Sequence, residues 1–115
     1  MDRITRICLL LISLFFCMAT VHAAELAGRV WYEQTKRPAS GVRIVVTCGQ
    51  VMLKATSDRY GFYRRPDLPP KQACVIVLDD GQHYSEQLAF YSSQGQATQN
   101  FSIRVQDKRL IVRKH

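Results

Sequence analysis

Acid is scarce in this chain: nine aspartates and glutamates stand against sixteen lysines and arginines, for a formal net charge of +7. A surplus of that sign suits anionic surfaces such as lipopolysaccharide, phospholipid or acidic glycan, and it is equally what a solvated basic surface without a specific partner looks like. Histidine is scarcer still, three in all, and there is a single tryptophan. The chain shows no internal repeat, no long low-complexity segment and no segment with a convincing helical period. No apolar run reaches the roughly 20 residues that a membrane-spanning helix needs.

What is present begins with a leader. Two arginines in the first six residues precede an apolar run from Ile7 to Ala19 broken by Ser13, and Val21-His22-Ala23 offers small residues spaced for a signal peptidase. The expectation is a signal peptide over residues 1–23, a β-sandwich domain over 24–106 and a basic C-terminal tail over 107–115. The leader holds Asp2, Arg3 and Arg6, so its removal leaves +6. Export to the periplasm or the cell exterior is expected, with no part of the remaining chain spanning a membrane. Cys8 and Cys17 leave with the leader, and Cys48 and Cys74 remain, an even pair in an oxidising compartment. A disulfide is expected, worth about 3 kcal/mol for a loop of this length in the chain-entropy model; two free core thiols are the alternative.

Period-two alternation dominates the chain from Glu25 onward. Leu26, Gly28, Val30 and Tyr32 share one strand face, leaving Trp31 on the other. Residues 34–41 are turn formers. Val42 to Cys48 and Val51 to Thr56 read as a hairpin across Gly49-Gln50. Ser57 to Gly61 turns the chain, Phe62 to Arg65 is a short strand, and Pro66, Pro69 and Pro70 stiffen a crossover loop. Ala73 to Leu78 is an unbroken apolar run suited to a buried central strand. Leu88 and Phe90 are expected to point inward, Ser92 to Thr98 to form a mobile loop, and Phe101, Ile103 and Val105 to line the inner face of a last strand. The tail after Asp107 has three readings: extension of that strand, pairing along a sheet edge, or a frayed basic end. Seven strands with turns every eight to twelve residues make an all-β, antiparallel, Greek-key-like sandwich.

The order Leu26-Ala-Gly-Arg-Val30, Arg37-Pro-Ala-Ser-Gly-Val-Arg-Ile-Val45, Ala55-Thr-Ser-Asp-Arg-Tyr-Gly-Phe-Tyr63 and Leu68-Pro-Pro-Lys-Gln-Ala-Cys-Val-Ile-Val77 resembles the carboxypeptidase regulatory-like domain. That resemblance implies a transthyretin-like seven-stranded β-sandwich. It also implies that the strand ending at Cys48 lies antiparallel beside the one starting at Cys74, which brings the two sulfurs together.

Little catalytic chemistry is legible. His83 and His115 have no second good ligand nearby in sequence, so neither a metal nor another cofactor is expected. Ser85, His83 and Glu86 cannot converge from neighbouring strand positions that point to opposite faces, and Asp79-Asp80-Gly81 reads as a hairpin turn rather than an acid–base pair. Transthyretin-like hydrolases acting on hydroxyisourate use histidines, an arginine and a Tyr-Arg-Gly-Ser ending, where this chain reads Val112-Arg-Lys-His115. Internal Lys–Asn isopeptide chemistry has Asn100 but no lysine on the first strand. The expectation is a non-enzymatic module that binds an envelope or secreted protein, or serves envelope assembly. The alternative is a carbohydrate or anionic-polymer surface made of Trp31, Tyr60, Tyr84 and Tyr91 with Arg43, Arg59, Arg64 and Arg65. A transthyretin-like hydrolase is the enzymatic alternative, and no physiological nucleic acid is expected for an exported chain.

Overall fold

The computed structural model describes residues 24–115; the leader read over residues 1–23 lies outside them. Two sheets face each other, and no helix occurs among the described residues. Strands β2 (Arg43–Cys48), β3 (Val51–Thr56), β5 (Gln72–Asp79) and β6 (Leu88–Ser92) form the first sheet in the order β3-β2-β5-β6. Strands β1 (Ala24–Tyr32), β4 (Phe62–Leu68), β8 (Phe101–Gln106) and β9 (Arg109–Lys114) form the second in the order β4-β1-β8-β9, with β7 (Gly95–Thr98) also on β1.

The alternation that marks the strands also builds the core. Leu26 and Val30 of β1, Ile44 and Val46 of β2, Ile76 and Leu78 of β5 and Phe101 and Ile103 of β8 are all buried between the sheets. Each fully buried side chain of this size contributes about 1.5–3 kcal/mol. β2 and β3 pair as the expected hairpin, Cys48 opposite Val51. β5 is the expected central strand, antiparallel to β2 on one side and β6 on the other. Cys48 and Cys74 stand directly opposite each other, their Cα atoms 4.3 Å apart, and they are joined by a disulfide. That bond fits an oxidising extracellular compartment.

Three local expectations are corrected, and one of the open readings of the C-terminal segment is borne out. Residues 95–98 are not a mobile loop but a strand, parallel to β1 from Ala24↔Gly95 to Ala27↔Thr98. A ladder is made by backbone groups, so polar side chains do not prevent it. Of the three readings of the C-terminal segment, pairing along a sheet edge holds: it is strand β9, antiparallel to β8, with Leu110 buried and opposite Val105. Pro66 does not end β4: the register slips between Ala24 and Leu26, leaving Pro66 and Asp67 (φ 61°) in a bulge on an edge strand, where proline's missing N–H costs no ladder bond. Val105 is not inward-facing core but 53% exposed, although Leu110 opposite it is buried. Among the described residues the strand total is therefore nine, and β1 pairs in parallel with both β7 and β8, while the other strand pairs there are antiparallel.

Candidate functional site

The outer face of the five-stranded sheet carries the densest chemistry. Val30 pairs with Phe101 and both are buried, so the alternate positions of β1 (Glu25, Ala27, Arg29 and Trp31) face outward. Their cross-strand neighbours are set by register. Arg64 lies opposite Ala27 on β4 and Thr98 lies opposite it on β7; Phe62 lies opposite Arg29, and Ser102 opposite Trp31. Because Ala27 and Gly28 are small, the sheet is hollow there. A groove of about 520 Å³ results, floored by those two residues, walled by Phe62, Arg64, Thr98 and Asn100, and reaching Thr56 and Asp58.

Each wall is held from behind. The Arg29 N–H donates to Asn100 Oδ1 at 3.0 Å. The Arg29 guanidinium lies over the Phe62 ring, 5.7 Å from its centroid, and its Nε is buried without a hydrogen-bond partner. Phe62 itself is 54% exposed. Asp58 is turned into its own loop, where Oδ1 accepts the N–H groups of Tyr60 and Phe62. Beneath the groove Tyr63 donates to the Gln99 carbonyl at 2.6 Å, and burial pushes its hydroxyl well above the usual phenol range. Arg64 is paired with Glu25.

Beside the groove the His115 ring packs on Trp31 at 4.7 Å, and His115 Nε2 lies 2.8 Å from Ser102 Oγ. Glu33 pairs with both Arg104 and Arg113 at 3.3 Å. A second hollow of about 430 Å³ opens at the end of the sandwich among Tyr32, Gln34, Thr35, Arg37, Ile103, Arg104 and Val105.

The eight residues expected to form an aromatic and basic surface are spread over the molecule. Trp31, Arg64 and Arg65 belong to the five-stranded sheet and Arg43 and Tyr91 to the other. Arg59 and Tyr60 sit in a turn, and Tyr84 makes an isolated bridge with Asp79. Among the eight, Arg59 stacks on Tyr60 at 4.8 Å, and Arg64 alone lines the groove of about 520 Å³. Arg43 reaches Asp79 at 4.0 Å, and Arg65 donates to the carbonyls of Pro66 and Lys54. Sequence reasoning missed Phe62, Arg29, Thr98 and Asn100. The pair Phe62-Tyr63 was the available signal, since adjacent strand residues face opposite ways and one ring must point outward.

The combinations weighed for catalysis are engaged otherwise. Ser85 Oγ accepts the Leu78 N–H at 2.9 Å and donates to the Glu86 carbonyl, while His83 Nδ1 lies 3.2 Å from Asp80 Oδ2. Burial opposes the ionisation of Asp80, but the N–H groups of Gln82 and His83, together with the His83 ring, outweigh it and hold the carboxyl below the usual range. Asp79, Asp80 and Gly81 form the expected turn, with Asp79 Oδ1 accepting the Gly81 N–H. Ser102 and His115 are a serine–histidine contact that sequence reasoning did not raise. Ser102 is only 1% exposed.

No protein-family model matches this chain, and no curated protein matches it significantly. Solved structures do. A 5-hydroxyisourate hydrolase from Klebsiella pneumoniae superimposes with a TM-score of 0.62 at 14% identity, over 83% of this chain and 96% of that one. A protein from Bacteroides uniformis taken to bind carbohydrate matches with a TM-score of 0.53 at 18% identity, over 76% of this chain. This chain spans less than half of that protein, 46% of its length. At such identities the likeness shows the fold alone, a transthyretin-like β-sandwich.

Proposed function

We propose that this protein is a non-catalytic, exported binding module that holds a carbohydrate in the groove beside Phe62. The observation that carries the reading is one exposed aromatic ring set against a guanidinium over a floor of small residues. A pyranose offers a C–H face to such a ring and hydroxyls to polar side chains, and the groove supplies both kinds of partner: Phe62 for the first, Asn100, Thr98 and Arg64 for the second. The carbohydrate-binding neighbour is in keeping with this, as are the resemblance to the carboxypeptidase regulatory-like domain and residence in the periplasm or outside the cell. Calorimetric titration of the oxidised protein against a panel of defined oligosaccharides tests it. Binding should appear for at least one, and Phe62→Ala should abolish it; a panel without binders, or binding untouched by Phe62→Ala, refutes the reading.

One observation favours a protein partner instead. β3 is an edge strand, and Val51 and Met52 on it are 44% and 61% exposed. Arg65 covers the Lys54 carbonyl, so the free stretch is short, residues 51–53. An extended segment of an envelope protein would pair there by strand addition. Protein capture from envelope extract that is lost on Met52→Lys would favour this reading over the groove.

A further inference from the structure

We infer, on the basis of the carbohydrate reading above, that the sugar bound in the Phe62 groove is acidic, its carboxylate received by Arg29. The arginines of the outer face carry the argument. Arg64 is neutralised by Glu25, and Arg104 and Arg113 share Glu33. Arg29 stands among them without a carboxylate partner among the described residues. Its Nε is shielded from solvent with no hydrogen-bond partner, and its backbone N–H is already used by Asn100. A half-buried guanidinium with no counter-ion is an unfavourable arrangement for the free protein, and an incoming anion relieves it.

Its position selects the anion. Arg29 does not itself line the groove; its guanidinium lies over the Phe62 ring, 5.7 Å from the centroid, so a ligand in the groove that reaches both must present an apolar side and a carboxylate next to each other. A pyranuronate does this: its ring C–H groups lie against the part of the phenyl ring left open to the groove, while the carboxylate at C5 projects from the ring edge toward the guanidinium fork, which matches a carboxylate in two parallel hydrogen bonds. Asp58, the one acidic residue lining the groove, has its Oδ1 turned to the N–H groups of Tyr60 and Phe62. The net surplus of basic residues, +6 without the leader, draws a polyuronate toward the protein from a distance.

The test titrates the intact, oxidised protein with tetragalacturonate and with the neutral cellotetraose, at low and at high salt. The acidic oligosaccharide should bind at least about tenfold more tightly, as a charged hydrogen-bonded contact warrants, and that margin should shrink with salt. Arg29→Gln should erase the margin without lowering the melting temperature. Arg29→Lys, which keeps the charge and loses the fork, should retain only part of it. Equal binding of the two sugars, or a margin that survives Arg29→Gln, overturns the inference and leaves the carbohydrate reading standing; failure of both sugars, together with a blank wider panel, removes both. If Arg29→Gln does not fold, the salt dependence of the unaltered protein and the Arg29→Lys result decide. Binding to vesicles bearing phosphate lipids with no response to galacturonate also overturns it.

Discussion

At the scale of single residues, the groove and the fold meet at Gly28. A Cβ added there would fall onto the Gln99 carbonyl oxygen and against the Tyr63 hydroxyl, the two groups that tie β4 to the link between β7 and β8. Gly28→Ala is therefore an overpacking change against backbone, and should lower stability by about 1–3 kcal/mol or more in a denaturant titration. Tyr63→Phe removes the donor and leaves the carbonyl without its partner, with an expected loss of about 1–2 kcal/mol. Asp80 gives a pH dependence. Its folded pKa is depressed, so its contribution is fully present above the ordinary carboxylate value of about 3.9 and is lost as the pH falls through the depressed value. Asp80→Asn should then be less stable than the parent at neutral pH, with the two melting curves converging as the pH drops below about 4. A gap that stays constant through that range would show that the carboxylate charge is not involved.

At the scale of strands, the central elements were legible and the margins were not. β2, β3 and β5 announce themselves through Ile44, Val46 and Cys48, through Leu53 and Ala55, and through Cys74, Ile76 and Leu78, because burial between two sheets imposes an apolar alternation that survives in any context. β7 carries no such mark. Gly95, Gln96 and Thr98 are exposed, and the strand exists because β1 needs a backbone partner beyond the reach of β8. β9 was ambiguous for a related reason: its apolar residues Leu110, Ile111 and Val112 lie between basic clusters that read equally well as a solvated tail. Phe62 escaped notice because an exposed aromatic on an edge strand has the same local pattern as a buried one. Hydrogen exchange separates the two accounts of residues 95–98: amides paired to β1 should be protected well beyond the neighbouring Ser93 and Gln94, whereas a mobile loop would exchange uniformly fast. The disulfide belongs to this scale as well, since it joins neighbouring central strands at their paired ends. Its reduction should cost about 3 kcal/mol without changing the strand order, because the β2–β5 ladder runs from Arg43↔Asp79 to Thr47↔Val75 independently of it.

At the scale of the whole molecule, stability and binding are assigned to different surfaces of the same sheet. The inner face holds Leu26, Phe101, Ile103 and Leu110, and the seam on that side is closed by β9: the Leu110 N–H donates to the Tyr84 carbonyl at 3.2 Å, and Lys114 Nζ donates to the Ala89 carbonyl at 2.7 Å across to the other sheet. The outer face holds Phe62, Arg29 and Asn100, whose side chains contribute little to the core. Two substitutions should therefore behave in opposite ways. Leu110→Ala opens a cavity at the seam and should cost about 2–5 kcal/mol in denaturant titration while leaving the affinity of the still-folded fraction unchanged. Phe62→Ala should alter stability by no more than about 0.5 kcal/mol, as expected of an exposed side chain, and should remove saccharide binding. If Phe62→Ala destabilises as much as Leu110→Ala does, the ring is part of the scaffold and the groove beside it loses its claim to a ligand.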